Sequence, residues 1–134
     1  MNPEGKGGGF DFKAYDACRA SGALIMTGHS PTYLRTAVMT NFYKQTVVSD
    51  TDPFVIKHGQ SLAFVTGTGG RNIRRQVVNY SWFRSVYASP VKESSGPFGL
   101  LLYTLNLQGV LNQGSCEFVI TTGEVKDQFN LEVQ

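Results

Sequence analysis

A histidine follows a short apolar run, and its position suits a metal ligand. Residues 23–28 read Ala-Leu-Ile-Met-Thr-Gly, and His29 comes directly after them. This run predicts a strand buried on both faces. Binding sites in α/β sheets collect where such strands end, because the strand fixes the backbone while the loop presents side chains. His29 is therefore a candidate metal ligand. The alternative is a loop histidine whose ring bonds to backbone groups.

A glycine-rich segment further along the chain offers groups that can hold an anion. Residues 67–75 read Gly-Thr-Gly-Gly-Arg-Asn-Ile-Arg-Arg. Successive backbone amides and nearby guanidinium groups can cradle a phosphate, although the spacing of a Walker loop is missing. Arg71 and Arg74 are therefore candidate substrate contacts. The alternative is an ordinary glycine-rich turn after a strand.

The remaining chemistry-bearing side chains favour structural roles. His58 stands in a turn-like Lys-His-Gly-Gln context, which predicts a surface histidine. Cys18 and Cys116 lie far apart without a zinc spacing, which predicts two buried thiols and leaves the compartment open. No serine stands in a nucleophile-elbow pattern, so no catalytic nucleophile is assigned. An aromatic cluster could stack a sugar or a base but is more typical of core packing, and it comprises Tyr80, Trp82, Phe83 and Tyr87.

These residues must be positioned by one helix and by strands. Helical spacing of apolar residues predicts a helix over 12–21, ended by Gly22. After Thr36 the helical periodicity disappears, and short β-rich runs predict a mainly antiparallel region. The clearest run places Val125, Phe129, Leu131 and Val133 on a core face, with a hairpin turn at 121–124 before it. The predicted later strands are 36–42, 61–66, 83–88, 98–107, 116–121 and 125–133.

Composition narrows the classes of function. The chain has 134 residues, of which 41% are hydrophobic and 12% aromatic, enough for one domain with a real core. Its formal charge is only +2, and its scattered basic residues do not favour a nucleic-acid partner. No apolar run is long enough to span a membrane, and no export signal is visible. The glycine-rich residues 1–9 predict a flexible N-terminus ahead of one unit over 10–134.

The histidine segment resembles a known signature. Residues 28–36 read Gly-His-Ser-Pro-Thr-Tyr-Leu-Arg-Thr. This is similar to the Gly-His-x-His-x-Tyr-x-Arg-Thr pattern of calcineurin-like metallophosphoesterases, especially their purple acid phosphatase branch. Pro31 stands where the pattern has its second histidine. The helix over 12–22, the segment 64–74 and the hairpin-rich ending also resemble the family, so the likeness covers residues 10–134.

The resemblance implies a fold and an activity. The fold would be α/β: the C-terminal portion of a layered metallophosphoesterase β-sandwich, with one N-terminal helix, a buried strand and then mainly antiparallel strands. The activity would be hydrolysis of a phosphate ester by two metal ions of the Fe, Zn or Mn type, with His29 as a ligand of one ion.

Part of the family's site is missing from the sequence. Proline has no free lone pair at its ring nitrogen, so Pro31 cannot replace the second histidine as a ligand. The family's carboxylate motifs do not occur before His29. Two interpretations stay open. The chain is an incomplete hydrolase whose other half or partner subunit supplies the remaining ligands, or it is a degenerate binding or scaffold module.

Overall fold

The protein is mostly β-strand with one α-helix. A computed structural model describes residues 12–76 and 79–134. Helix α1 spans Phe12–Ala20, and Gly22 follows it with a left-handed φ of 68°. The predicted flexible residues 1–9 lie outside the described part of the chain. The strands are β1 (Ile25–Thr27), β2 (Tyr33–Thr36), β3 (Val38–Asn41), β4 (Thr46–Ser49), β5 (Phe54–Ile56), β6 (Ala63–Thr66), β7 (Ile73–Arg74), β8 (Phe83–Tyr87), β9 (Glu93–Ser94), β10 (Gly99–Leu105), β11 (Gln113–Ile120) and β12 (Val125–Val133).

The strands form two four-stranded sheets and two small ribbons. Sheet 1 has the order β1-β6-β2-β8, and sheet 2 has the order β10-β11-β12-β5. Two pairings are parallel, β1 with β6 and β5 with β12, while the other pairs are antiparallel. The ribbons pair β3 with β4 and β7 with β9. The predicted arrangement of a helix followed by mainly antiparallel strands is confirmed at this coarse level.

The core lies between the two sheets and under the helix. Phe64 of sheet 1 stacks on Phe129 of sheet 2 with ring centroids 5.4 Å apart, and Tyr33 stacks on Phe118 at 4.0 Å. Along each strand, side chains that face the other sheet alternate with side chains that point to the opposite face. On the outer face of sheet 1, α1 inserts Tyr15 into a second cluster of buried apolar side chains. Sheet 1 is therefore covered on both faces over its central strands.

Strand β1 differs from its prediction. The run 23–28 was predicted to be buried on both faces, yet β1 is an edge strand of sheet 1 that pairs only with β6 among the described residues. Ile25 packs under α1, whereas Met26 on the opposite face is 59% exposed. The prediction was wrong on this point because no described element covers the second face of β1.

Several strand bounds also differ from the sequence-based ones. The predicted strand over 36–42 corresponds to β3 at Val38–Asn41, since Thr36 is the last residue of β2 and the chain then leaves sheet 1 for the β3–β4 ribbon. Strands β2, β4, β5, β7 and β9 were not predicted. The predicted strand 98–107 ends at Leu105 and leads into a 3₁₀ helix at Leu107–Gly109. The last strand agrees with its predicted bounds.

Burial along β12 and at the cysteines corrects two further expectations. Phe129 and Leu131 are buried as predicted, but Val125 and Val133 at the two ends of β12 are exposed. Cys116 is buried in the core, whereas Cys18 on α1 is only partly buried. Among residues 12–76 and 79–134, no helix is long and apolar enough to cross a membrane.

One buried ion pair joins the two sheets. Arg35 of β2 donates from Nε to Asp127 Oδ2 at 2.7 Å and from Nη2 to Asp127 Oδ1 at 3.0 Å. Both side chains are only 8% exposed. The guanidinium also lies over the rings of Phe54 and Phe129, at 4.7 and 4.5 Å from their centroids. A two-point contact between planar groups fixes orientation as well as distance, so this pair sets how sheet 1 sits on sheet 2.

A tyrosine completes the polar arrangement around Asp127. The Tyr33 hydroxyl donates to Asp127 Oδ2 at 2.6 Å. Burial, followed by this hydrogen bond, raises the pKa of Tyr33 well above its ordinary value, so the hydroxyl stays protonated and remains a donor. Arg35 Nη1 is buried and finds no acceptor among the described residues. Asp127 therefore accepts three hydrogen bonds from β2, and its charge is compensated by Arg35.

We expect Asp127→Asn to destabilise the protein strongly. Asparagine keeps the shape but removes the charge, which leaves Arg35 as a buried cation without a counterion. Breaking one side of a buried pair costs about 3–5 kcal/mol of unfolding free energy. The measurement is urea unfolding of both proteins. Glu124→Gln is the matched control, since Glu124 pairs with Lys126 on the protein surface. A loss below about 1 kcal/mol, or one equal to the control, would contradict the expectation.

Stability should also fall in alkali. Burial raises the pKa of the Cys116 thiol to about 12, although Arg35 opposes the rise, and burial raises the pKa of Tyr103 to about 12. The unfolded chain loses these protons near the ordinary pKa values of a cysteine and a tyrosine, 9.0 and 10.0. The folded state therefore binds more protons above about pH 9, and unfolding free energy declines from there upward.

Urea unfolding between pH 7 and pH 11 measures this decline. Cys116→Ala should make the decline shallower, whatever its effect at pH 7, and Cys18→Ala should leave the slope unchanged. A stability that stays level up to pH 11 is the result that would refute the expectation.

Candidate functional site

The candidate site lies where two parallel strands end. β1 and β6 run side by side in the same direction, with Ile25 opposite Ala63 and Thr27 opposite Val65. Their carboxyl ends therefore meet at one edge of sheet 1. Residues 28–32 follow β1, and the glycine-rich residues 67–72 follow β6. The two segments that the sequence singled out are thus brought to the same edge, which is where α/β proteins commonly bind ligands.

The two loops are joined through their backbones. The Gly67 N–H donates to the Thr32 carbonyl at 3.2 Å, and the Arg74 N–H donates to the Pro31 carbonyl at 2.9 Å. A side chain at Gly67 is impossible without movement, because its Cβ would stand 1.9 Å from the Ser30 carbonyl oxygen. We call this contact between residues 28–32 and 67–74 the loop junction. It fixes the start and the end of the glycine-rich loop against the histidine loop.

His29 is held in an unusual backbone conformation and presents its ring to solvent. Its φ of 70° lies in the left-handed region, which costs about 1–2 kcal/mol for a residue with a side chain. Two tight turns surround it, since Ser30 N–H donates to Gly28 at 2.9 Å and Thr32 N–H donates to Ser30 at 2.8 Å. The side chain is exposed, and its ring has no hydrogen-bond partner among the described residues. The imidazole is therefore available to a ligand.

The described residues supply one candidate metal ligand at this edge and not a complete centre. No group of three or more His, Cys, Asp or Glu side chains that could hold a metal ion occurs within residues 12–76 and 79–134. Pro31, at the second histidine position of the signature, uses its carbonyl to anchor Arg74. A zinc-type centre takes at least three protein ligands. His29 fits one of these positions, and the described residues do not provide the others.

The two candidate arginines differ in their surroundings. Arg71 lies in the exposed turn that carries Gly69 and Gly70. Arg74 is also exposed, and its Nε lies 3.7 Å from Glu93 Oε1 across the β7–β9 ribbon. Arg74 thus already pairs with a carboxylate, whereas Arg71 has no ion pair with any described residue. Arg74 is anchored at the loop junction, whereas Arg71 lies in the exposed turn between the two anchored ends, and no hydrogen bond links either arginine to His29.

The remaining sequence candidates have structural roles. His58 is exposed, and its Nδ1 lies 3.1 Å from the Ala20 carbonyl at the end of α1, so the surface prediction is confirmed. Trp82 is buried. The Tyr80 ring stacks on it with centroids 5.6 Å apart, and the Phe83 ring packs against it at a tilt with centroids 4.6 Å apart. These contacts confirm core packing for the three residues. Tyr87 does not belong to that cluster, since its ring packs on Phe118 and its hydroxyl donates to the Pro97 carbonyl.

Sequence reasoning missed Asp127 and the true role of two residues of the signature. Tyr33 and Arg35 were read as part of a site motif, yet both point between the sheets and bind Asp127. The signal was present, because Asp127 falls on the core-facing positions of the alternating strand β12. A carboxylate on a core face requires a buried partner.

Comparison with known proteins does not assign a family. No protein-family model, curated protein or solved structure matches the chain.

We expect Gly67→Ala to disturb the loop junction, and Gly69→Ala to leave it intact. An added Cβ at Gly67 meets the Ser30 carbonyl, whereas one at Gly69 meets nothing within 4 Å. Overpacking of this kind costs about 1–3 kcal/mol. Urea unfolding gives the change in unfolding free energy, and the amide chemical shifts of residues 28–30 and 32 report the displacement of the histidine loop. Equal effects of the two substitutions on both measurements would contradict the described contact.

Proposed function

We propose that this chain forms one side of a metal-dependent phosphoester-hydrolysing site of the calcineurin-like, purple acid phosphatase-like type. The observation that carries the proposal is the loop junction. It places an unpartnered imidazole, His29, beside a glycine-rich loop bearing Arg71, at the carboxyl ends of two parallel strands. In this proposal His29 binds a metal ion, and the loop amides with Arg71 hold the phosphoryl oxygens.

In this proposal His29 and Arg71 perform only part of the chemistry. Metal ions of the Fe, Zn or Mn type would polarise the phosphoryl group and activate water. The other metal ligands would come from residues outside the described ones or from a partner chain. His29 would orient one ion because its turn is fixed at both ends, and Arg71 would neutralise charge on the phosphate.

A binding or scaffold module is the second candidate, and two observations favour it. Pro31 removes one ligand of the signature. Strand β10 is an edge strand of sheet 2, with Leu100 55% and Leu102 51% exposed. A free edge of this kind can accept another strand through backbone hydrogen bonds. This second function needs no metal, so the response of His29 to metal separates the two candidates.

We expect metal to bind at His29 in preference to His58. The imidazole proton signals of the full chain are followed by NMR during titration with Zn²⁺ in the presence of inorganic phosphate. His29 should shift at lower Zn²⁺ than His58, together with amides of residues 67–71, because phosphate would bridge the ion and the loop. His29→Ala should abolish the amide shifts, and His58→Ala should preserve them. Equal responses of the two imidazoles would contradict the metallophosphoesterase proposal and favour the scaffold.

A further inference from the structure

The open edge of sheet 2 lacks the features that normally keep a strand edge from pairing. Edge strands are usually protected by short length, charged side chains, proline or a bulge. β10 has seven residues, pairs with β11 without a register shift, and contains neither proline nor a charged residue. The other edges of the two four-stranded sheets are better protected, since β1 and β5 have only three residues each and β8 carries Arg84. Among the described strands, β10 is therefore the unprotected edge.

Hydrogen bonds at the start of β10 show which of its backbone groups face away from β11. Gly99 N–H donates to the Thr68 carbonyl at 3.2 Å, and the Gly99 carbonyl accepts from Thr68 Oγ1 at 2.8 Å, so Gly99 faces away from β11. Backbone direction alternates along a regular antiparallel strand, so Leu101, Tyr103 and Leu105 face the same way. The backbone groups of these three residues have no hydrogen bond to a described residue on that side. We call these three residues the free edge.

The free edge matches a second copy of itself in length and in hydrogen-bonding groups. Thr68 fills the edge strand's outer side before the free edge begins, and beyond Leu105 the chain turns away at Asn106, whose φ is 52°. Antiparallel pairing around Tyr103 places Leu101 of each copy opposite Leu105 of the other. Every open N–H then meets an open carbonyl. The chain of the second copy also leaves the sheet before it reaches Thr68.

The charges around the free edge suit the same partner. Residues 94–116 contain no Asp, Glu, Lys, Arg or His. A two-fold axis brings each side chain near its own counterpart, so a charged edge would repel itself and this neutral edge does not. A charged peptide would find no counterion here, whereas the exposed Leu102 side chains of two copies come within diagonal reach of each other. The surface therefore fits a second copy better than a charged partner.

We propose that the chain forms a two-fold symmetric dimer in which the two β10 strands pair antiparallel around Tyr103. The two copies of sheet 2 then form one continuous sheet, and the unprotected edge disappears. The dimer specifies a partner for the binding module considered above, and it needs no metal at His29. One strand from each copy makes a small interface, so the dimer should be weak and should depend on protein concentration.

The first test is analytical ultracentrifugation of the full chain from about 10 µM to about 1 mM, in buffer with EDTA so that no metal contributes. We expect a reversible equilibrium between monomer and dimer. Leu105→Pro removes one outward N–H in each copy and leaves the ladder to β11 intact. It should weaken dimerisation at least about tenfold, because two hydrogen bonds are lost per dimer. Leu105→Ala is the matched control, since it shortens the same side chain but keeps the N–H, and urea unfolding verifies that both variants fold.

Amide hydrogen exchange on the wild-type protein tests the register without a substitution. The amides of Leu101, Tyr103 and Leu105 should exchange slowly in concentrated protein and rapidly after dilution. Those of Leu100 and Leu102 face β11 and should stay slow at both concentrations.

Four results would each overturn the inference. They are a monomer at every concentration, a dimer that Leu105→Pro leaves unchanged, equal weakening by Leu105→Pro and Leu105→Ala, and slow exchange of the free edge in dilute protein. The last result would mean that a segment of the same chain already covers the edge. A failed metal response at His29 would instead contradict the metal site alone, because these measurements exclude metal.

Discussion

The arrangement of the two sheets depends on one buried ion pair. Arg35 and Asp127 are separated by 92 positions in the chain, and no other charged pair between described residues is buried to the same extent. Removing two charges from water is costly, and the cost is offset here by the two-point contact, the Tyr33 hydroxyl and the rings of Phe54 and Phe129. Because Arg35 lies on β2, directly after the histidine loop, the same contact that joins the sheets also fixes one end of the candidate site.

The signature segment therefore divides into two parts with different roles. Its first residues, Gly28 and His29, lie in the exposed loop, while Tyr33 and Arg35 face the interior and hold sheet 1 on sheet 2. Pro31 lies between the two parts, where its carbonyl anchors the glycine-rich loop. A motif of this kind can keep its structural half after its ligand-binding half has changed. Two residues of this segment, Tyr33 and Arg35, are thus accounted for by packing between the sheets.

Local patterns predicted the elements better than the contacts between them. The helix, the loop after β1 and the alternation in β12 follow from spacing within a few residues. The edge position of β1 does not follow from local spacing, because a central strand and an edge strand can have the same apolar run. The loop junction depends on parallel pairing of β1 with β6, and no local signal marks that partner. Asp127 was visible as a carboxylate on a core face, but its partners lie in a segment near the other end of the chain.

The distance along the chain between Arg35 and Asp127 has a consequence for how the protein reaches its structure. Contacts between distant residues form slowly, because the entropy of closing a long loop is lost before the contact contributes energy. During synthesis β2 leaves the ribosome long before β12, so Arg35 has no counterion until the final hairpin is made. Folding order thus leaves the contact that holds sheet 1 on sheet 2 to the last strand of the described chain.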